Sequence, residues 1–163
     1  MDREIISLKL TLAHVKCTKC GFERILYFTP DNWYAERVVS TKDGKLCAYA
    51  NLMEENIIQE LDEICIDIFK KENINVSKNK RGRIVSQIYS ITCDDIDGQK
   101  VDNTPSWKCC DCLDGEMKED KVFGEKIMNI QMPYVTHNAW NLLDYCQKEY
   151  KVKSELINQG YMV

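Results

Sequence analysis

Two short cysteine pairs carry the chemistry of this chain: Cys17-Thr18-Lys19-Cys20-Gly21 near its start and Cys109-Cys110-Asp111-Cys112 in its last third. Each is a C-x-x-C. Two such pairs bring four thiolates to the corners of a tetrahedron, the arrangement preferred by Zn²⁺, a borderline-soft ion without directional d-electron demands. The expected ligands are Cys17, Cys20, Cys109 and Cys112, with Cys110 the alternative to Cys109 in a C-x-C pair. Cys109 is preferred because the C-x-x-C spacing lets backbone N–H groups point at the sulfurs. Four sulfurs close the coordination sphere and leave no position for water, which argues for a structural metal over a hydrolytic one.

The other residue types that do chemistry form no converging set. The zinc deaminase signature requires His-x-Glu, but His14 is followed by Val15 and Lys16, and Pro105 stands apart from Cys109. His137 is the only other histidine. No Gly-rich phosphate loop or nucleophile elbow is present, so the expectation is a protein that is not an enzyme. Cys47, Cys65, Cys93 and Cys146 sit in apolar runs and are expected in the core. An odd total of nine cysteines, the C-x-x-C spacing and an N-terminus without a basic start or apolar stretch favour reduced thiols and a cytoplasmic protein. No apolar run reaches the length of a membrane span. An apolar share of 44% and a charged share of 29% are those of a globular chain, and 22 basic against 26 acidic residues give no global basic field.

The elements that must position the cysteines follow from periodicity. Ile6, Leu8, Leu10 and Leu12 alternate with Ser7, Lys9 and Thr11, the period of a half-buried strand running into the first pair. Phe22 to Phe28 folds back as a second strand, broken at Pro30-Asp31-Asn32, so that the first pair sits at a hairpin tip. Val38-Val39 and Leu46 to Tyr49 flank the turn Lys42-Asp43-Gly44 and complete an antiparallel meander. From Asn51 the period becomes helical: Ile57, Leu61, Ile64 and Ile68, widened by Met53, Ile58, Cys65 and Phe69, make an amphipathic helix of about five turns. Ser77 caps a second helix carrying Ile84, Val85, Ile88 and Ile91. Asp94 to Gly98 reads as a turn, and Asp111 to Asp120 as an acidic loop. Thr136 or Asn138 caps a last helix holding Trp140, Leu143, Cys146 and Tyr150.

The two knuckles, Cys17-x-x-Cys20-Gly21 and Trp107-Lys108-Cys109-x-x-Cys112, resemble those of zinc ribbons. That resemblance implies a structural Zn²⁺ joining two hairpin-like pieces; the helical stretch between them is a departure. The expected fold is α+β in a single domain, 1–163. Residues 1–50 and 94–132 would form a small antiparallel sheet with ribbon-like knuckles, 51–93 an inserted helical hairpin, and 133–163 a C-terminal helical segment packed across the knuckles.

Two surfaces suggest partners. Lys70, Lys71, Lys78, Lys80, Arg81 and Arg83 face only Glu72 in their stretch; residues 57–92 have the layout helix, short link, helix, and the run Ile68 to Val85 resembles the helix-turn-helix segments of some transposases and small regulators. Cations in the first turn of a helix oppose its macrodipole, a local conflict that a bound anion relieves. With Ile84, Val85, Ile88 and Ile91 inward, Asn79, Arg83, Ser86 and Ser90 face outward and Gln87 lies at the edge. Lys78, Lys80, Arg81, Arg83 and Gln87 are therefore the candidate nucleic-acid contacts. The alternative is an adaptor, inhibitor or immunity-type protein that meets a basic protein partner through Asp111, Asp114 and Glu116, with Trp33, Tyr34 and Trp107 nearby.

Overall fold

A 13-residue first strand, β1 (Ile5–Cys17), is the axis of the β part. The computed structural model describes residues 4–29, 36–53, 56–104, 108–119 and 125–163; Pro30-Asp31-Asn32, Trp33, Tyr34, Pro105 to Trp107 and Asp120 lie outside them. On one edge β1 pairs antiparallel with β2 (Glu23–Phe28), from Thr11↔Phe28 to Lys16↔Glu23. On the other it pairs with two strands in succession. β6 (Glu125–Pro133) runs against Ile5 to Ala13, and the short β5 (Met117–Glu119) against Val15 to Cys17. β3 (Glu36–Ser40) and β4 (Cys47–Asn51) form a separate two-stranded sheet around the turn at Gly44.

The class is α+β, as the sequence implies. The expected meander is corrected in two respects: β3 and β4 form a sheet of their own, and two of the three partners of β1 come from beyond residue 116. β5 lies inside the stretch read as acidic loop. The sequence reading leaves β6 unassigned, although Met128, Ile130 and Met132 alternate with Asn129 and Gln131. The adjacent Ile127 and Met128, both exposed, spoil that period.

The chain divides into two compact units, Met1–Asn51 with Asp95–Val135 and Leu52–Asp94 with Thr136–Val163. In the first, Leu10, Cys47, Tyr49 and Met132 are buried together, with Ile6, Leu8, Leu12 and Tyr27 half-buried against them. Beyond Leu12 the buried parity of β1 switches to Ala13, Val15 and Cys17. Successive side chains point to opposite faces, so the end of the strand turns the Cys17 sulfur toward the side covered by Arg24, which stands opposite Val15. Asp97 and Gly98, with φ of 48° and 77°, form the two-residue turn expected at Asp94 to Gly98, closed by reciprocal hydrogen bonds between Ile96 and Gln99 at 2.9 and 3.0 Å.

The second unit is helical. α1 (Ile57–Lys71) buries Ile57, Leu61, Ile64, Cys65, Ile68 and Phe69, about four turns, and Met53 lies outside the helix and exposed. α2 (Lys78–Ile88) starts at Ser77, whose hydroxyl accepts from the Lys80 N–H at 3.2 Å, and buries Ile84, Val85 and Ile88. It ends in a 3₁₀ turn, Tyr89–Thr92, that buries Ser90, which the sequence reading places outward. The C-terminal segment groups with these helices in one unit. It is also two helices where one was expected. α3 (Asn138–Asn141) is capped by Asp94, whose carboxylate accepts from the Asn138 and Ala139 N–H groups at 2.8 and 2.9 Å and from the Thr136 hydroxyl at 2.6 Å. α4 (Tyr145–Asn158) begins in a capping box of Asp144 and Gln147, and its buried face is Val152 and Leu156. Leu143, Cys146 and Tyr150 are not that face; Cys146 and Tyr150 are exposed.

One buried ion pair knits the β unit. The Arg24 guanidinium, 5% exposed, donates to the Asp102 carboxylate, 14% exposed, at 2.9 Å, and to the Ser40 hydroxyl at 3.5 Å. Asp102 also accepts from the Thr104 hydroxyl at 3.0 Å, and its own N–H donates to the Ser40 carbonyl at 2.8 Å. Removing one member strands a charge away from water. Asp102→Ala is expected to lower unfolding stability by about 3 kcal/mol, measured by urea denaturation. A loss below about 0.5 kcal/mol, the scale of a surface substitution, would contradict this account.

A candidate metal centre

The Sγ atoms of Cys17, Cys20, Cys109 and Cys112 all lie within 4.8 Å of one another. Cys17 and Cys112 stand 3.7 Å apart, and Cys20 and Cys109 3.6 Å apart. Thiolates about 2.3 Å from the centre of a tetrahedron are about 3.8 Å from one another, so both separations match the edge of a four-sulfur site that could hold a metal ion. Cys110 is not in the cluster. Its sulfur lies against the Lys42 carbonyl at 3.5 Å, and burial pushes its thiol pKa up.

The two knuckles repeat one backbone design. Cys17 accepts from the N–H groups of Lys19 and Cys20 at 3.4 Å each; Cys109 accepts from Asp111 at 3.4 Å and Cys112 from Gly115 at 3.3 Å. Four residues past each first cysteine the chain turns back, Gly21 N–H to the Cys17 carbonyl and Leu113 N–H to the Cys109 carbonyl, both at 3.2 Å. Both turning residues are left-handed, Gly21 at φ 77° and Leu113 at φ 63°. Leu113 holds, 57% exposed, a conformation that glycine adopts without strain. The knuckles are stitched together by the Thr18 N–H donating to the Glu116 carbonyl at 3.0 Å and by the pairing of Cys17 with Met117.

Gly115 is a functional residue that motif spacing does not mark. Its Cβ would lie 2.1 Å from the Cys17 sulfur and 3.4 Å from that of Cys112. Only the absence of a side chain lets the second knuckle close on the first. The available signal is a glycine three residues after Cys112.

Backbone donors prepare one thiolate on each knuckle. The Cys20 N–H, then that of Lys19, draws the Cys17 pKa down to about 6, and those of Asp114 and Gly115 lower Cys112. At Cys20 the Phe22 N–H pulls downward, but burial and hydrogen bonds shared with the other three thiols prevail and push the pKa up to about 12. A central cation removes that competition by favouring thiolate at all four positions.

The residues read as partner contacts are dispersed. Arg81 donates to the Asp62 carboxylate from Nε at 2.6 Å and from Nη2 at 3.4 Å, a pairing within the helical unit that raises its pKa. Lys78, Lys80 and Arg83 are exposed, and Gln87 is half-buried. In the second knuckle Asp111 accepts from Lys42 at 2.8 Å and Asp114 from Lys19 at 3.0 Å; Glu116 is exposed. The His137 ring is held on both sides: Nδ1 faces the Thr92 carbonyl at 2.8 Å and so carries the proton, while Nε2 lies 3.3 Å from the Tyr89 hydroxyl. His14 lies 4.0 Å from Glu23.

Compared with protein-family models, curated proteins and solved structures, the chain has no match.

Two outcomes test this geometry. Gly115→Ala is expected to weaken metal affinity at least about tenfold, or 1.4 kcal/mol, in a chelator competition, and unchanged affinity would contradict the close approach. Native protein treated with iodoacetamide should be modified at the exposed Cys146 and spared at the buried Cys47 and Cys65, whose thiol pKa values burial raises, that of Cys65 to about 12. Modification of all three at one rate would contradict the packing described.

Proposed function

We propose that this is a zinc-stabilised, non-catalytic binding protein in which Cys17, Cys20, Cys109 and Cys112 hold one Zn²⁺ as a structural ion. The reading rests on one observation above the rest: four sulfurs from chain segments separated by 88 residues (21 to 108) come within 4.8 Å of one another, with two of the separations at tetrahedral edge length. The all-sulfur donor set favours Zn²⁺ over oxygen-seeking cations. A complete set of four protein ligands leaves no coordination position for water, which supports a structural role. Both histidines have neighbours that give them structural work, which also fits a protein without chemistry of its own.

For the binding partner the reading is nucleic acid, contacted by Lys78, Lys80 and Arg83 on α2. These three are exposed on a helix whose first turn contains no acidic residue, while Arg81 is engaged by Asp62. The rival reading, an acidic adaptor or inhibitor, draws less support because Asp111 and Asp114 already face lysines.

The metal is tested by content and by folding. Purified protein should contain about one equivalent of Zn²⁺, and Cys20→Ser or Cys112→Ser should lose it and lower thermal stability. Metal-free protein of unchanged stability would overturn the assignment. The partner is tested by fluorescence anisotropy with labelled DNA and RNA over a salt series. Affinity should fall steeply with salt, and a Lys78→Ala, Lys80→Ala, Arg83→Ala triple variant should reduce the logarithmic slope by about 3 while staying folded. No salt-sensitive binding at low ionic strength would overturn the nucleic-acid reading in favour of a protein partner.

A further inference from the structure

α4 carries two apolar stripes, and the fold uses one of them. Val152 and Leu156 are fully buried in the helical unit. On another face Cys146, Tyr150 and Ile157 recur at intervals of 4 and 7 residues, the spacing by which one helix packs along another, and Leu143 lies just before the helix start. This second stripe faces solvent. Tyr150 is 74% and Ile157 43% exposed, Cys146 is exposed, and Leu142 beside its start is 87% exposed. Contiguous apolar groups left in water mark an interaction surface more often than scattered single ones do. Leu143, Cys146 and Tyr150 line a shallow groove of about 420 Å³ together with Asp144, Gln147 and Lys151.

The charges of the groove point to its occupant. Asp144 stands toward the start of the groove and Lys151 toward its end, seven residues or about 10 Å apart along the axis. Two copies of one helix related by a two-fold axis perpendicular to it run antiparallel, and an acid and a base on one face then meet in two equivalent pairs when the axis passes midway between them. With the centre between Gln147 and Lys148, Asp144 of each copy meets Lys151 of the other, and Cys146 and Tyr150 fall between the charged ends. We propose that this face of α4 is a homodimer interface, occupied by the same face of a second copy in antiparallel orientation.

Cys146 makes the register measurable. It lies 1.5 residues from the proposed centre, so the two Cys146 positions are offset by only about 4.5 Å along the axis and come within disulfide reach. Zinc-loaded protein should show a monomer–dimer equilibrium from low to high micromolar concentration in sedimentation velocity. Brief treatment with diamide, which takes up two hydrogens as two thiols join, should yield a covalent dimer whose linkage maps to Cys146–Cys146 and is absent in Cys146→Ser. Lys151→Glu would bring carboxylates against Asp144, and Tyr150→Glu would charge the apolar centre. Both exposed substitutions should leave the fold intact and weaken dimerisation at least about tenfold. A monomer at every concentration, a dimer indifferent to both substitutions, or a cross-link through any other cysteine would overturn the proposal.

Discussion

The β unit depends on bringing Cys17 and Cys20 against Cys109 and Cys112 across 88 intervening residues (21 to 108). Hydrogen bonds among the four clustered thiols favour ionisation of Cys17 and oppose that of Cys20, so the thiols compete for charge. A cation at the centre turns that competition into cohesion, because each sulfur then interacts with the ion more strongly than it repels its neighbours. Convergence also demands space, and Gly115 provides it where any Cβ would strike the Cys17 sulfur.

Around this constraint the surrounding elements act as braces. β1 runs the length of the sheet and delivers Cys17 at its end, while β5 returns immediately after the second knuckle to pair with Val15, Lys16 and Cys17. Arg24 and Asp102 join β2 to the stretch that precedes the second knuckle, with Ser40 of β3 completing the cluster. At the rim, Lys19 with Asp114 and Lys42 with Asp111 cross from one chain segment to the other. These exposed pairs contribute little energy singly. Their consequence is electrostatic: an acidic knuckle loop that looks like an open docking surface in sequence is partly neutralised once folded.

What was legible in the sequence was local. C-x-x-C spacing marked the four clustered cysteines, strict alternation marked the first half of β1, helical spacing marked α1, and Ser77 marked the start of α2. The Asp43-Gly44 turn and the Asp97-Gly98 turn were equally readable, because positive φ selects a narrow set of residues. What escaped was set by partners distant in the chain. β5 and β6 are strands because β1 offers an edge, although their own patterns are weak. Asp94 caps α3 from 44 residues away, so inspecting Thr136 and Asn138 alone misplaces the cap. In α4 both stripes are apolar, and periodicity cannot say which one the fold buries. That ambiguity put Cys146 and Tyr150 in the core when Val152 and Leu156 occupy it.

The ligand atoms of a bound ion decide whether these four cysteines form the metal site. X-ray absorption at the zinc edge of the purified, metal-loaded protein reads them directly. The account requires a single shell of four sulfurs at about 2.3 Å, with no nitrogen or oxygen at about 2.0–2.1 Å. A mixed shell, or fewer than four sulfurs, would contradict it.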